Sequence, residues 1–180
     1  NLVFKINNNK KKNVLIVGTS KHKNIKNMIV AVKDLNINLT IVGELSDDLK
    51  LFCKLNKILF KNLVNITNHR MRRVLAKNDI LLMVSKYEGF GMPIIEAQAS
   101  GMVVITSNLE PMKTVIGKNG FVVDPDKPTK IKKIVKKLLN DKKLFLKNIK
   151  RGQNNSYKYL SNVVNKKYIN LYCKILKNDY

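Results

Sequence analysis

Short apolar runs recur along this chain, each ended by a glycine or a polar turn and followed by a stretch of helical periodicity. Val14-Leu15-Ile16-Val17 stops at Gly18, Leu39-Thr40-Ile41-Val42 at Gly43, and Ile80-Leu81-Leu82-Met83-Val84 at Ser85. A strand facing water on one side alternates polar and apolar residues. A strand apolar throughout must be covered on both faces, as in a parallel sheet with helices above and below. The expected fold class is therefore α/β, a doubly wound, Rossmann-like parallel sheet of about six strands. Leu63 to Ile66, Val103 to Thr106 and Gly120 to Val123 supply the remaining strands. Between them the pattern predicts helices from Asn24 to Leu35, from an N-cap at Ser46-Asp47-Asp48 to Lys57, and from Arg70 to Lys77. Tyr157, Leu160, Val164, Tyr168, Leu171, Tyr172 and Ile175 recur at helical intervals, which predicts one long amphipathic C-terminal helix from Ser156 to Lys177.

With 180 residues the chain is long enough for one domain and hardly for two, so residues 1–180 are expected to form a single unit. Its opening, Asn1-Leu2-Val3-Phe4-Lys5 and then a Lys/Asn-rich lead-in from Asn7 to Asn13, reads as a cut within a longer protein. No apolar run nears the ~20 residues that span a bilayer. Cys53 and Cys173 stand far apart in helical stretches without metal-ligand spacing and read as free thiols of a reducing cytoplasm. His22 and His69 are isolated, and Met83 and Met102 read as core filler. The net charge of +23 has two readings: codon-driven enrichment in Lys, or contact with anionic lipid headgroups. Neither a helix-turn-helix pattern nor a basic ribbon interleaved with aromatics is present, so nucleic acid is not an expected partner. The first strand is followed by a single glycine rather than GxGxxG, which disfavours a dinucleotide-dependent dehydrogenase.

The chemistry concentrates in Ser85-Lys86-Tyr87-Glu88-Gly89-Phe90-Gly91-Met92-Pro93-Ile94-Ile95-Glu96-Ala97. This segment leaves a buried strand and enters a helix, at the edge where open α/β sheets bind ligands. Pro93 fits the first helical position, and Gly89 and Gly91 let backbone approach a ligand closely. Amides around Gly91, Met92 and Ile94, with the helix dipole, form an expected seat for a diphosphate. Glu88 and Glu96 flank that seat, and carboxylates are strong acceptors for the paired hydroxyls of a sugar and of a ribose. Together these features fit a nucleotide sugar.

The run Glu88 to Ala97, continued by Ala99-Ser100-Gly101 and Val103-Val104, resembles the signature of the family 4 (group 1) retaining glycosyltransferases of the GT-B fold. Val17-Gly18-Thr19 with Lys23-Asn24, Ser107-Asn108, Val115-Ile116-Gly117 and Val123-Asp124-Pro125 are similar to further blocks of the family's C-terminal domain. The resemblance implies donor binding by Thr19, Lys23, Glu88, Gly89, Phe90, Gly91, Met92 and Glu96. Glu96 would hold the ribose. Glu88 would stand at the sugar's hydroxyls and reacting face, the catalytic position. The backbone of Phe90, Gly91 and Met92 would meet sugar and diphosphate, and Lys23 would offset charge on the leaving phosphate. Many members carry an arginine where this chain has Thr19, so half of the cationic clamp is absent or is supplied by Lys21.

The implied reaction moves a hexose from a donor such as a UDP- or GDP-sugar to an acceptor hydroxyl, with retention, no bound metal and no cofactor. The implied partners are that nucleotide sugar and a glycan or lipid-linked acceptor held by an N-terminal domain outside this chain, so the isolated domain is expected to be inactive. The expected setting is synthesis of bacterial-type surface polysaccharide or glycolipid in the cytoplasm, peripheral on the inner membrane face. Two other readings stand beside it: a nucleotide-binding module without transferase activity, and a basic domain for nucleic acid or anionic membranes.

Overall fold

A computed structural model describes residues 11–118 and 120–178. Lys12–Val17 (β1), Ile37–Val42 (β2), Phe60–Leu63 (β3), Ile80–Met83 (β4), Val103–Ser107 (β5) and Phe121–Val123 (β6) form one sheet in the order β3-β2-β1-β4-β5-β6. Every neighbouring pair is parallel. The connecting helices are Ile25–Val32 (α1), Asp47–Leu55 (α2), Asn68–Lys77 (α3), Met92–Ala99 (α4), Met112–Val115 (α5) and Pro128–Asn140 (α6). Lys142–Ser156 (α7) and Ser161–Asn178 (α8) close the described chain, joined through a 3-10 turn at Tyr157–Tyr159.

The apolar runs are buried because the pleat sends alternate residues into two cores. Val14, Ile16, Ile80, Leu82, Val103 and Ile105 face one, covered by α1 through Met28 and Ile29 and by α6 through Ile131 and Val135. Leu15, Leu81, Met83 and Val104 face the other, covered by α3 and α4 through Val74, Leu75, Ile94 and Ala97. Burial of each such side chain stabilises the fold by ~1.5–3 kcal/mol, and a polar residue in the central strands would lose that on either face. Met83 and Met102 lie in this core as expected. Cys53 is buried, which pushes its thiol pKa up, whereas Cys173 is exposed; both are free.

Several boundaries differ from the sequence reading. β1 starts at Lys12, inside the polar lead-in, whose residues 7–10 lie outside the described part. The third strand is Phe60–Leu63 rather than Leu63 to Ile66. It is an edge strand with Lys61 and Asn62 exposed, and Asn62 holds it in register by donating to the carbonyls of Ile41 (3.1 Å) and Gly43 (2.9 Å). Asn65, at φ 51°, turns the chain where the strand was expected. α3 begins at Asn68 because the Thr67 hydroxyl accepts from the Arg70 amide (3.3 Å). The expected closing helix is present but starts five residues later than Ser156: α7 ends at Ser156, a 3-10 turn spans Tyr157–Tyr159, and α8 runs from Ser161 to Asn178. Tyr168, Leu171, Tyr172 and Ile175 of α8 are exposed, so the described residues leave its apolar side uncovered.

Candidate functional site

The strand order reverses between β1 and β4, so the connections leaving these neighbours diverge to opposite faces and open a crevice at the carboxyl edge of the sheet. Lys23 lies on the β1 side of that crevice, in a 3-10 turn at Lys21–Lys23, and Glu88 on the β4 side. The structure joins them: Lys23 Nζ donates to Glu88 Oε1 at 2.6 Å, with both side chains mostly buried. Gly18 makes this reach possible. A Cβ at Gly18 would stand 2.9 Å from Lys23 Cε, so the lysine stem folds back directly across the end of β1.

Gly91 caps α4 in the left-handed region, at φ 98° and ψ 38°, a conformation that costs an L side chain ~1–2 kcal/mol. Met92 is the first helical residue, which places Pro93 second rather than first. Pro93 has no N–H, and the Ile94 amide donates to the Gly91 carbonyl at 2.9 Å. Ile94 thus leaves the expected phosphate seat, which narrows to the backbone at Gly91 and Met92. Glu96 is exposed one turn into the helix, and Gly89 is exposed on the loop. Phe90 is half-exposed and meets Tyr159 edge-on at 6.0 Å between ring centres. Thr19 packs over the other strand-ending glycine, with its Cγ2 only 2.8 Å from where a Cβ on Gly43 would lie. Lys21 and His22 are exposed, and the His22 ring meets Tyr87 edge-on.

The residue whose importance the sequence reading missed is Asn24, directly after Lys23. It is buried, holds φ 57°, and its side-chain amide donates to Val84 O at 3.0 Å and Pro125 O at 2.7 Å. Val84 ends the run into the Glu88 loop, and Pro125 follows β6. One carboxamide therefore ties three crevice loops together. Asn27 adds a bond to Pro125 O (3.2 Å), the Lys86 amide donates to His22 O (2.8 Å), and Lys86 Nζ pairs with Asp126 at 2.7 Å. The Asp126 amide in turn donates to Asp124, which holds that carboxyl below its usual pKa, with Lys127 reinforcing the shift. The signal that could have found Asn24 was its residue type: Asn tolerates the left-handed region better than other side chains do.

This arrangement can bind an anion and hydroxyl groups at one edge. Lys23 offers a cation, the start of α4 offers backbone polarity, and Glu88 and the exposed Glu96 offer acceptors.

The sequence profile described as glycosyl transferases group 1 matches residues 2–157. The chain is 26% identical over 131 residues to the uncharacterized glycosyltransferase MJ1178 of Methanocaldococcus jannaschii, covering 68% of this chain and 36% of that protein. A 42-residue stretch is 48% identical to the O-antigen chain mannosyltransferase B of Escherichia coli, covering 23% of this chain and 11% of that one. The fold is that of the C-terminal domain of LpcC, a glycosyl transferase group 1 family protein of Francisella tularensis. That match has a TM-score of 0.70 and 23% identity, over 82% of this chain and 86% of that one. HepE of Anabaena, solved with UDP and glucose, superimposes with a TM-score of 0.75 at 17% identity, over 92% of this chain and 48% of that one. The chain thus spans about a third of the length of the first of these relatives, 36%.

Proposed function

The chain belongs to the group 1 glycosyl transferases, and from that membership we propose that it is the donor-binding half of a retaining, metal-independent hexosyltransferase. The observation that carries the reading is the pairing of Lys23 with Glu88 across the crevice where the strand order reverses. Glu88 stands at the donor sugar's hydroxyls and reacting face. The backbone of Gly89, Phe90, Gly91 and Met92 meets the sugar and the diphosphate, Glu96 accepts from the ribose, and Thr19 lines the β1 side.

In the transfer, the acceptor oxygen bonds to the anomeric carbon while the bond from that carbon to the diphosphate oxygen breaks. The electron pair leaves with the diphosphate, and the acceptor's proton follows it. Lys23 sits where negative charge grows on the leaving group, and it also serves Glu88. The ammonium has three donors, so it can bridge carboxylate and phosphate at once. The acceptor, a glycan or a lipid-linked sugar, is held by the other half of the longer enzyme, as the chain's share of its relatives supports. The setting is surface-polysaccharide or glycolipid synthesis, supported by the likeness to an O-antigen mannosyltransferase, and its proposed place is the inner face of the membrane. Among the described residues no helix is long and apolar enough to cross a membrane; the net charge of +23 supports contact with anionic headgroups.

Calorimetric titration of the chain with UDP, GDP and their hexose conjugates tests the assignment. Glu96 is exposed, so Glu96→Ala leaves the fold intact. It is expected to weaken nucleotide binding about tenfold or more, the value of a lost charge-assisted hydrogen bond. Unchanged affinity in Glu96→Ala would overturn the placement of the ribose.

A further inference from the structure

A recess of about 310 Å³ opens at the end of α4 remote from Gly91, between α7 and residues 116–118. Its base is apolar, formed by Met102, Val104 and Ile116. One wall is a fixed carboxamide lattice: Asn155 donates to Gln98 Oε1 and to Val115 O, both at 2.9 Å, and Gln98 donates to Ile116 O at 2.9 Å. Gly152 lets α7 pack closely on this wall, since a Cβ there would stand 3.1 Å from Gln98 Cγ. Lys118, Arg151 and Lys158 line the opening, no carboxylate lines it, and none of the three is in an ion pair among the described residues.

The arginine is informative. This chain draws nearly all its positive charge from lysine, with arginine only at positions 70, 72, 73 and 151. Codon-driven enrichment in Lys does not explain an arginine here, and a guanidinium fork is the side chain suited to bidentate contact with phosphate oxygens. The volume is at the lower bound for small-molecule pockets of ~300–1,000 Å³. An apolar base with carboxamide walls suits a hydroxylated carbon skeleton, and the cationic opening suits its charged end. We propose that this recess is a second ligand site, separate from the donor crevice, that takes a phosphomonoester of a small hydroxylated molecule with the phosphate on Arg151, Lys118 and Lys158.

Calorimetry of the chain with glucose 6-phosphate, glucose and inorganic phosphate provides the test. Glucose 6-phosphate is expected to bind saturably, with glucose and inorganic phosphate each about tenfold weaker or more. Arg151→Gln and the double variant Lys118→Gln/Lys158→Gln are each expected to weaken binding about tenfold, at an unchanged melting temperature because these side chains are exposed. Lys23→Gln, in the donor crevice, and Lys54→Gln/Lys57→Gln, on a remote surface, are expected to leave binding unchanged. Absence of saturable binding would overturn the proposal, as would inorganic phosphate binding as tightly as the ester. Equal loss in Lys23→Gln would move the ligand to the crevice. Equal loss in Lys54→Gln/Lys57→Gln would reduce the effect to net charge. Displacement of glucose 6-phosphate by phosphatidate vesicles would reassign the phosphate to a lipid headgroup and overturn the soluble ligand.

Discussion

At the scale of single residues, Asn24 and the Lys23–Glu88 pair set the geometry of the crevice. Asn24 does two separable things: it adopts φ 57°, and it bonds two carbonyls. Asn24→Gly keeps the backbone freedom and loses both bonds, so it is expected to cost about 1–3 kcal/mol of stability in urea unfolding. Asn24→Ala adds left-handed strain and should cost a further ~1 kcal/mol or more. If the two variants were equally stable, the strain would be absent and the hydrogen bonds would carry the whole effect. Both variants are expected to weaken UDP binding, because Lys23 and the Glu88 loop lose their common anchor. Lys23 and Glu88 are partly desolvated, so removing one partner leaves an uncompensated charge. Glu88→Gln is expected to destabilise by about 1–3 kcal/mol, and adding Lys23→Met to it should recover part of that loss. A double-mutant cycle by urea denaturation measures the coupling, and strict additivity would show that the 2.6 Å contact contributes nothing.

Elements were legible in proportion to their burial. The central strands announce themselves because a segment covered on both faces has to be apolar throughout, and β1, β2, β4 and β5 fall where the runs stand. β3 was misplaced by three residues because an edge strand with Lys61 and Asn62 in it carries no such signal, and the apolar run beside it lies partly in the turn. The closing helix falls where its apolar spacing predicts, and its start differs because the 3-10 turn at Tyr157–Tyr159 keeps Tyr157 and Leu160 close to the α-helical spacing of α8. Of the site, the loop from Glu88 to Met92 could be read from its glycines and its position after a buried strand. The Lys23–Glu88 contact and the Asn24 tie could not, since they join residues 65 and 60 positions apart. Helix starts show the same limit. Ser46, followed by Asp47 and Asp48, reads as a cap and accepts from the Leu49 amide, whereas Thr67 caps α3 unannounced by any acidic residue in the first turn. Both helices are largely exposed, so each cap should matter on its own. Ser46→Ala and Thr67→Ala are each expected to cost ~1 kcal/mol, and together about the sum, by urea denaturation. A Thr67→Ala variant as stable as the parent would show that α3 is held by Val74 and Leu75 alone.

For the whole molecule the open question is whether +23 is an accident of composition or a built surface. The two readings differ in where charge should matter. α6 and α7 carry Lys130, Lys132, Lys133, Lys136, Lys137, Lys142, Lys143, Lys147, Lys150 and Arg151, and the only acid at their junction, Asp141, accepts from the Leu144 amide as a cap. Such a flank lies within a Debye length of any surface it touches, ~10 Å at 0.1 M salt, so its charges act together. Each lysine held near anionic headgroups contributes ~1 kcal/mol, so three removed from the contacting face should weaken vesicle binding by about 100-fold or more. Three removed from elsewhere should do far less. Lys133→Gln/Lys137→Gln/Lys143→Gln is therefore expected to abolish sedimentation with phosphatidylglycerol vesicles at 0.1 M salt. Lys54→Gln/Lys57→Gln/Lys61→Gln, at the β3 edge of the sheet, should leave most of it, and the parent's binding should fade as salt rises. If the two triple variants lost binding equally, position would not matter. The charge would then be compositional, and the reading of this flank as a membrane surface would fall.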